Sequence, residues 1–488
     1  MAFNSVIFLC WALPLVLLAY YGLAPLFTSK LAPTLKKLLL FAASFVFATW
    51  IAQEHSLFFS GLILLNWLFA LFISKSRSKN REIQAKISLL IIIICNLTCL
   101  VSYKYLDFFA SLLSPYLVLK VESFSLIQPL GISFLTFSLI SYVVDCYRQH
   151  IIADKNLLNF SLWALFFPKL TSGPIARYDD MFSQENLERA GSFDRELVAY
   201  GMRRFVIGLA KKVMIADILG VSVDTIFGQQ ALGIDTPTAW IGILAYSLQI
   251  FFDFSGYSDM ALGLAALFGY RFKENFNYPY CAHSLGEFWH RWHISLSTWL
   301  RDYVYFPLGG SRRGNVYVNL SLVFLLSGLW HGANLTFVAW GAWYAFFMVL
   351  ERILKLHVPK AVPWLDAQSS AVAKCIGWLC TVFIVILGWV FFRSENLYQA
   401  WEYLQLLFGI GQYDGQFFKA GYYLDGRVLA LFVVGSLLSF PLVPKLSKKL
   451  EACSWYELLR SLACIALFVL CLAYVLSSSY SPFLYAQF

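Results

Sequence analysis

Charge is scarce in this chain. Asp, Glu, Lys and Arg make up 13% of its 488 residues, against 59% hydrophobic residues. A soluble globular domain holds about 25% charged and about 45–50% apolar residues, so most of this surface does not face water. Polar tracts are scarce too: residues 176–196, with both signs of charge, and 411–427 are the main ones, and neither is a soluble domain. There is no internal repeat of the kind that marks transporter halves and no low-complexity tract. The ten cysteines form neither a zinc spacing nor a disulfide framework. Cys95, Cys99, Cys375, Cys380, Cys464 and Cys471 sit inside apolar runs, where a small buried hydrophobe is the default. No Lys or Arg precedes the first apolar run. A secretory signal peptide starts with a positive segment, so the first span is expected to be a retained anchor.

What the chain has instead is apolar runs, among them 6–27, 38–52, 87–101, 337–350, 376–392, 428–441 and 462–476. Stretches of roughly 17–25 apolar residues are membrane-span candidates, and shorter ones thin the bilayer or stay interfacial. The expectation is an all-α polytopic membrane protein with about eleven spanning helices plus re-entrant or interfacial ones. The net charge of +9 does not point to nucleic acid, because the basic residues flank apolar spans. Lys30, Lys36 and Lys37 follow the first; Lys75, Arg77, Lys79, Arg81 and Lys86 follow the third; Lys445, Lys448 and Lys449 precede the last. Residues 53–56 carry none. Basic loops stay cytoplasmic, which predicts both chain ends outside.

The middle of the chain is richer in His, Trp, Arg, Gly and Asn. His283, His290, His293 and His331 lie there, out of seven histidines in all. Ionisable groups at membrane depth are costly, so such a cluster marks a functional site by default. In 281–304, plotted as one helix, Phe288, Trp292 and Trp299 take one face, and His283, Glu287, His290, Ser297 and Arg301 the other. His293 falls on the border. An interfacial amphipathic helix and a metal site at i, i+4, i+7 are the two readings of the polar face. In 327–343, His331 sits in an apolar run between Trp330 and Gly332, with Asn334 following. It is either a core imidazole bonded to a neighbouring carbonyl or a general base. In 251–269, Asp253 and Asp259 bracket a Ser255-Gly256-Tyr257-Ser258 break, read as a broken helix with capped ends or as the frame of a cavity.

Together these stretches resemble the membrane-bound O-acyltransferase (MBOAT) family, most closely its bacterial polysaccharide-acetylating branch. The matching pieces are FFPKLTSGPIARY (166–178), GLAKKVMIAD (208–217), FFDFSGYSDMALG (251–263), EFWHRWHISLSTWLRDYVYFPLGGSRRG (287–314) and LSGLWHGANLTFVAWG (326–341), with GWVFFR (388–393) weaker. They run in order through most of the chain. The resemblance implies one MBOAT membrane domain over 1–488: a catalytic core at about 130–395, flanked by N-terminal helices (1–125) and C-terminal helices (396–488), around a central cavity. It implies His331 as the essential histidine and His293 as a second functional position. Trp330, Asn334, Trp292, Arg291, Ser295, Arg301, Asp302, Tyr303, Asp253, Ser255, Tyr257 and Asp259 are the expected substrate-binding or supporting residues. No bound cofactor or metal is expected. The donor implied is cytoplasmic acetyl-CoA, its phosphates held by Arg291, Arg301, Arg312 and Arg313. The oxyanion would be met by His293, Asn334 or N–H groups near Gly332. The acyl group would pass to a separate extracytoplasmic SGNH-hydrolase-like partner and on to a polysaccharide, from a bacterial cytoplasmic (inner) membrane. Residues 167–173 read FPKLTSG where family members that act on alginate commonly carry a His and apolar residues, which leaves the acceptor open. The alternatives are D-alanyl transfer to teichoic acid, or a transporter or flippase.

Overall fold

A computed structural model describes residues 2–23, 31–52, 55–113, 129–189, 193–229, 233–366, 370–410, 419–477 and 482–484. Lys30, Gln53 and Glu54 of the loops used above for orientation, and 190–192 and 411–418 of the two polar tracts, lie outside the described residues. Among the described residues all regular structure is helical, with no strand. The chain forms two compact units. The first comprises residues 1–207, 257–273 and 475–487, the second 208–256 and 274–474.

In the first unit, α1 (Ala32–Ala52), α2 (Ser56–Ser78) and α3 (Glu82–Lys104) are joined by α4 (Ile132–Tyr147) and α5 (Leu157–Leu165). Helices α2 and α3 are tied by a reciprocal amide pair: Asn66 Nδ2 donates to Asn96 Oδ1 (3.1 Å) and Asn96 Nδ2 to Asn66 Oδ1 (2.8 Å). Each amide also reaches back to the carbonyl four residues earlier, at Leu62 and Ile92, so both buried side chains are satisfied without water. This is the polar adhesive that helices use where hydrophobic burial gives no net pull between them. Helix α4 packs on α2 and α3 and is buried along nearly its whole length. Residues 167–173, which depart from the alginate-type pattern, form a buried turn. Its Lys169 ammonium lies 4.3 Å from the centre of the Trp163 ring.

Helix α6 (Thr236–Leu267) is continuous over 32 residues. The break expected at 255–258 is therefore absent: Asp253, Ser255, Tyr257 and Asp259 all lie inside a helix. The second unit continues with α7 (Leu285–Arg291), α8 (Ile294–Leu300), α9 (Val316–His331), α10 (Leu335–His357), α11 (Ala371–Arg393), α12 (Gly426–Leu438), α13 (Leu442–Leu450) and α14 (Tyr456–Ser477). Helices α9 and α10 approach each other closely. A Cβ on Gly328 would lie 2.3 Å from the Phe337 carbonyl oxygen, and one on Gly341 2.5 Å from that of Phe324. Only glycine permits that approach.

Six described helices are long and apolar enough to cross a bilayer, namely α1, α2, α3, α10, α11 and α14, or seven if α12 and α13, bent by 66°, make one span. The sequence expectation was about eleven. Helices α4 and α9 are apolar but shorter.

Candidate active site

His331 is the last residue of α9. Asn315 starts that helix by accepting the N–H groups of Tyr317 (2.9 Å) and Val318 (3.3 Å). The chain turns at Gly332, and Asn334 caps α10 by accepting the Thr336 N–H at 3.1 Å. The Asn334 amide nitrogen donates to the Glu395 carbonyl at 2.7 Å. The WHGAN stretch is thus a helix end, a turn and a cap, and the close α9–α10 pairing fixes where the imidazole sits. The ring is buried among aromatic edges: its centroid lies 4.9 Å from Trp340, 5.0 Å from Trp330 and 5.2 Å from Phe392.

The single helix expected over 281–304 is not formed. Helix α7 ends at Arg291, His293 takes a left-handed backbone conformation (φ 45°, ψ 54°), α8 follows, and 301–305 is a π-helical turn. A non-glycine residue in that region is strained by about 1–3 kcal/mol, a cost that persists where surroundings over-determine it, often at functional sites. His293 is therefore not on the border of a helical stripe. It is the buried N-cap residue of α8. Its ring meets Phe254 edge-on at 4.7 Å and Trp330 at 5.9 Å. Trp330 contacts both histidine rings. Burial pushes the His293 pKa down to about 3, so its imidazole is neutral at physiological pH.

Both histidines line one cavity of about 430 Å³ within the second unit. Its wall also holds Trp289, His290, Trp292, Ser297, Thr298, Arg301, Tyr305 and Ser327. Of the expected supporting residues, Trp292 and Arg301 are therefore on the wall. Arg301 pairs with Asp302 at 2.8 Å, and Tyr303 packs on Trp299 at 5.3 Å. Arg291 is bound to Glu287 at 2.7 Å, and Ser295 Oγ lies 3.5 Å from His293 Nδ1. Arg312 and Arg313 are exposed in the loop before α9. The metal-like trio does not converge. The His283 ring is bonded to the Lys374 carbonyl, His290 Nδ1 lies 2.6 Å from the Gly286 carbonyl, and Glu287 holds Arg291.

The two aspartates of α6 each hold a cation. Asp253 and Asp217 both bind the buried Lys212 ammonium at 2.7 Å, and Lys211 Nζ approaches Ser255 Oγ at 3.5 Å. In the first unit Asp259 binds Arg204 at 2.7 Å. Tyr257, also there, stacks on Phe3 and is hydrogen-bonded to the Thr171 hydroxyl. These four residues are engaged in ion pairs, hydrogen bonds and a ring contact. Sequence reasoning missed Trp289, Trp340, Phe392, Phe254 and Asn275 around the histidines. Trp289, Phe254, Trp340 and, in the weaker GWVFFR stretch, Phe392 lay inside motifs already singled out; Asn275 lay outside all of them.

Residues 93–390 match the model of the membrane-bound O-acyltransferase family. Over the whole of both chains the sequence is 36% identical to a protein of Pseudomonas putida named probable alginate O-acetylase AlgI. It is 40% identical to the Pseudomonas aeruginosa protein of that name, over 85% of this chain and 76% of the relative. It is 34% identical to a peptidoglycan O-acetyltransferase of Helicobacter pylori, over 84% of this chain and 80% of the relative. The chain belongs to the membrane-bound O-acyltransferase family. It is a multi-pass membrane enzyme of the acyltransferase class, and the transporter reading is set aside.

Proposed function

We propose that this enzyme takes an acetyl group from acetyl-CoA on the cytoplasmic side and passes it to a hydroxyl presented from the other side, for O-acetylation of an extracytoplasmic polysaccharide of the alginate or peptidoglycan type. The names of the relatives support the acetyl group and the acceptor class. The observation that carries the reading is the shared cavity with His331 and His293 in its wall. His331 takes the proton of the attacking hydroxyl as the new O–C bond forms. The C–S bond breaks, and the leaving thiolate receives a proton. Preorganised donors meet the oxyanion between these steps. Arg301, on the wall, suits an anionic part of the donor. Asn334, whose amide caps α10 and holds Glu395, acts by fixing the turn. The attacking hydroxyl belongs to a separate SGNH-hydrolase-like partner outside a bacterial cytoplasmic membrane, which hands the acetyl group on to a hydroxyl of the polysaccharide. Purified enzyme releasing free CoA from acetyl-CoA only when partner or acceptor is added tests the proposal. A D-alanyl carrier thioester used in preference to acetyl-CoA would replace it with the teichoic-acid reading.

Transfer is expected to be direct. Of the nearest candidate nucleophiles, Cys281 has its thiol pKa raised, first by burial, which lowers its thiolate fraction. Ser327 lines the cavity, and Ser295 Oγ stands 3.5 Å from His293 Nδ1, long for an activating hydrogen bond. Enzyme incubated with acetyl-labelled CoA alone should therefore emerge unlabelled after denaturation. Stoichiometric label on one residue, lost when it is changed to Ala, would demote His331 to activator of that nucleophile.

The same reading puts both chain ends outside and residues 74–86 in the cytoplasm, because five Lys or Arg lie in that segment. Asn80 occupies a left-handed turn (φ 55°), so the exposed Lys79 beside it is the position to probe. Lys79→Cys, in a background stripped of accessible native cysteines, should resist an impermeant thiol reagent in intact cells and react after permeabilisation. Labelling in intact cells reverses the scheme.

A further inference from the structure

His293 lines the cavity beside His331. In a neutral imidazole one nitrogen donates and the other accepts, so the tautomer decides what His293 can do in the cavity.

Asn275 bears on that choice. It is fully buried, in a non-helical stretch tied to 291–294 by two backbone hydrogen bonds: the Asn277 N–H donates to the Arg291 carbonyl and the Ile294 N–H to the Asn275 carbonyl, both at 2.9 Å. Its side-chain oxygen accepts the Ser295 N–H at 3.0 Å. Asn275 thus satisfies the first two open N–H groups of α8 from outside the helix, a duty that the N-cap side chain normally performs. His293 occupies the N-cap position but its side chain is released from capping.

The same oxygen lies 3.4 Å from His293 Nδ1. Its identity as oxygen is fixed by the Ser295 N–H, which an amide NH₂ cannot accept. An oxygen that accepts from a backbone N–H has only acceptor capacity left for the ring, so Nδ1 must be the nitrogen that carries hydrogen. Ser295 Oγ lies further from the same nitrogen, at 3.5 Å; its hydroxyl can accept as well as donate, so the Asn275 oxygen, which can only accept, is the partner that selects the tautomer.

We infer that Asn275 is the positioning residue that holds His293 in its Nδ1–H tautomer, so that His293 meets substrate through Nε2 as a hydrogen-bond acceptor and not as a donor to the oxyanion. This rests on the acyl-transfer reading for its meaning, but the tautomer itself does not. His293 then takes a hydroxyl or amide hydrogen of a substrate and orients it, and the oxyanion is met by other donors. The ionisable groups that share the cavity wall with His293 are His290, Arg301, Tyr305 and His331, and burial alone accounts for its depressed pKa.

The test is ¹⁵N spectroscopy of the histidine-labelled protein in lipid, with the His293 signals assigned by difference against His293→Gln. The wild type should show a protonated Nδ1 and an unprotonated Nε2. Asn275→Leu, which removes the oxygen, should shift the signals toward the other tautomer or a mixture. Asn275→Asp keeps both acceptor roles, so it guards against a simple folding failure. Its carboxylate should raise the His293 pKa by about 1–3 units, and the acid limb of the transfer rate should move up with it. A protonated Nε2 in the wild type overturns the inference, as does a tautomer indifferent to both Asn275 variants in folded protein. Absence of acetyl transfer with the expected tautomer intact would instead count against the proposed function.

Discussion

His331→Ala is expected to abolish acetyl transfer while the protein still inserts and folds. A positioned general base contributes about 10²–10⁴-fold, and no other wall residue stands where this imidazole does. The surroundings argue that the loss would be chemical. The ring sits among the edges of Trp330, Trp340 and Phe392, at 4.9–5.2 Å, on a turn held by the glycine-mediated contact of α9 with α10 and by the Asn334 cap. None of these supports needs the imidazole. His331→Gln, closer in size, should be as inactive, with less of a void. The measurement is polymer acetylation in cells at matched protein level, beside thermal unfolding of the purified variants. Undiminished acetylation in either variant removes His331 from the catalytic role.

Lys212→Ala should destabilise the protein by about 3–5 kcal/mol, the range for removing one partner of a buried ion pair. Lys212 and Asp253 are each about 2% exposed in their side chains and 2.7 Å apart. With the ammonium gone, Asp253 keeps a buried charge and loses this counter-ion. Asp217, 23% exposed, can turn to water; Asp253 cannot. Lys212→Met combined with Asp253→Leu should recover most of the stability, since replacing a buried pair by apolar groups is often neutral or better. The double variant also decides what Asp253 is for. If it binds substrate, the restored protein is inactive; if it serves only Lys212, activity returns with stability. Unfolding temperatures in detergent within a degree of wild type for Lys212→Ala would refute the assignment.

Much of this was legible in the sequence because membrane solvation writes itself into composition. The apolar runs fall on helices, and the WHGA and RWHIS elements bring their histidines to one cavity. What was not legible depends on partners far along the chain. A helical wheel over 281–304 fails because the backbone turns at His293, with no Gly or Pro there to announce it. The turn is held by Asn275, 18 residues earlier. Conversely, Ser255-Gly256-Tyr257-Ser258 reads as a break, yet α6 runs straight through. Gly256 is there for contact: a Cβ would lie 2.8 Å from the Gly208 carbonyl oxygen. Phe392, an edge against His331, belongs to a helix that no spacing rule connects to WHGA. Asp253 and Asp259 drew attention as membrane-depth carboxylates, but their cations stand 41 and 55 residues away.

That separation matters during synthesis. Lys212 leaves the ribosome 41 residues ahead of Asp253, so the ammonium is offered to the insertion machinery before its buried partner exists. Asp217, only a turn or so further along the same helical stretch and bonded to the same nitrogen, arrives almost with it. The nascent segment thus carries its own counter-ion, and Lys212 can be sheltered from lipid until α6 brings Asp253 alongside. The more exposed carboxylate of the trio is the one that makes the order of assembly tolerable.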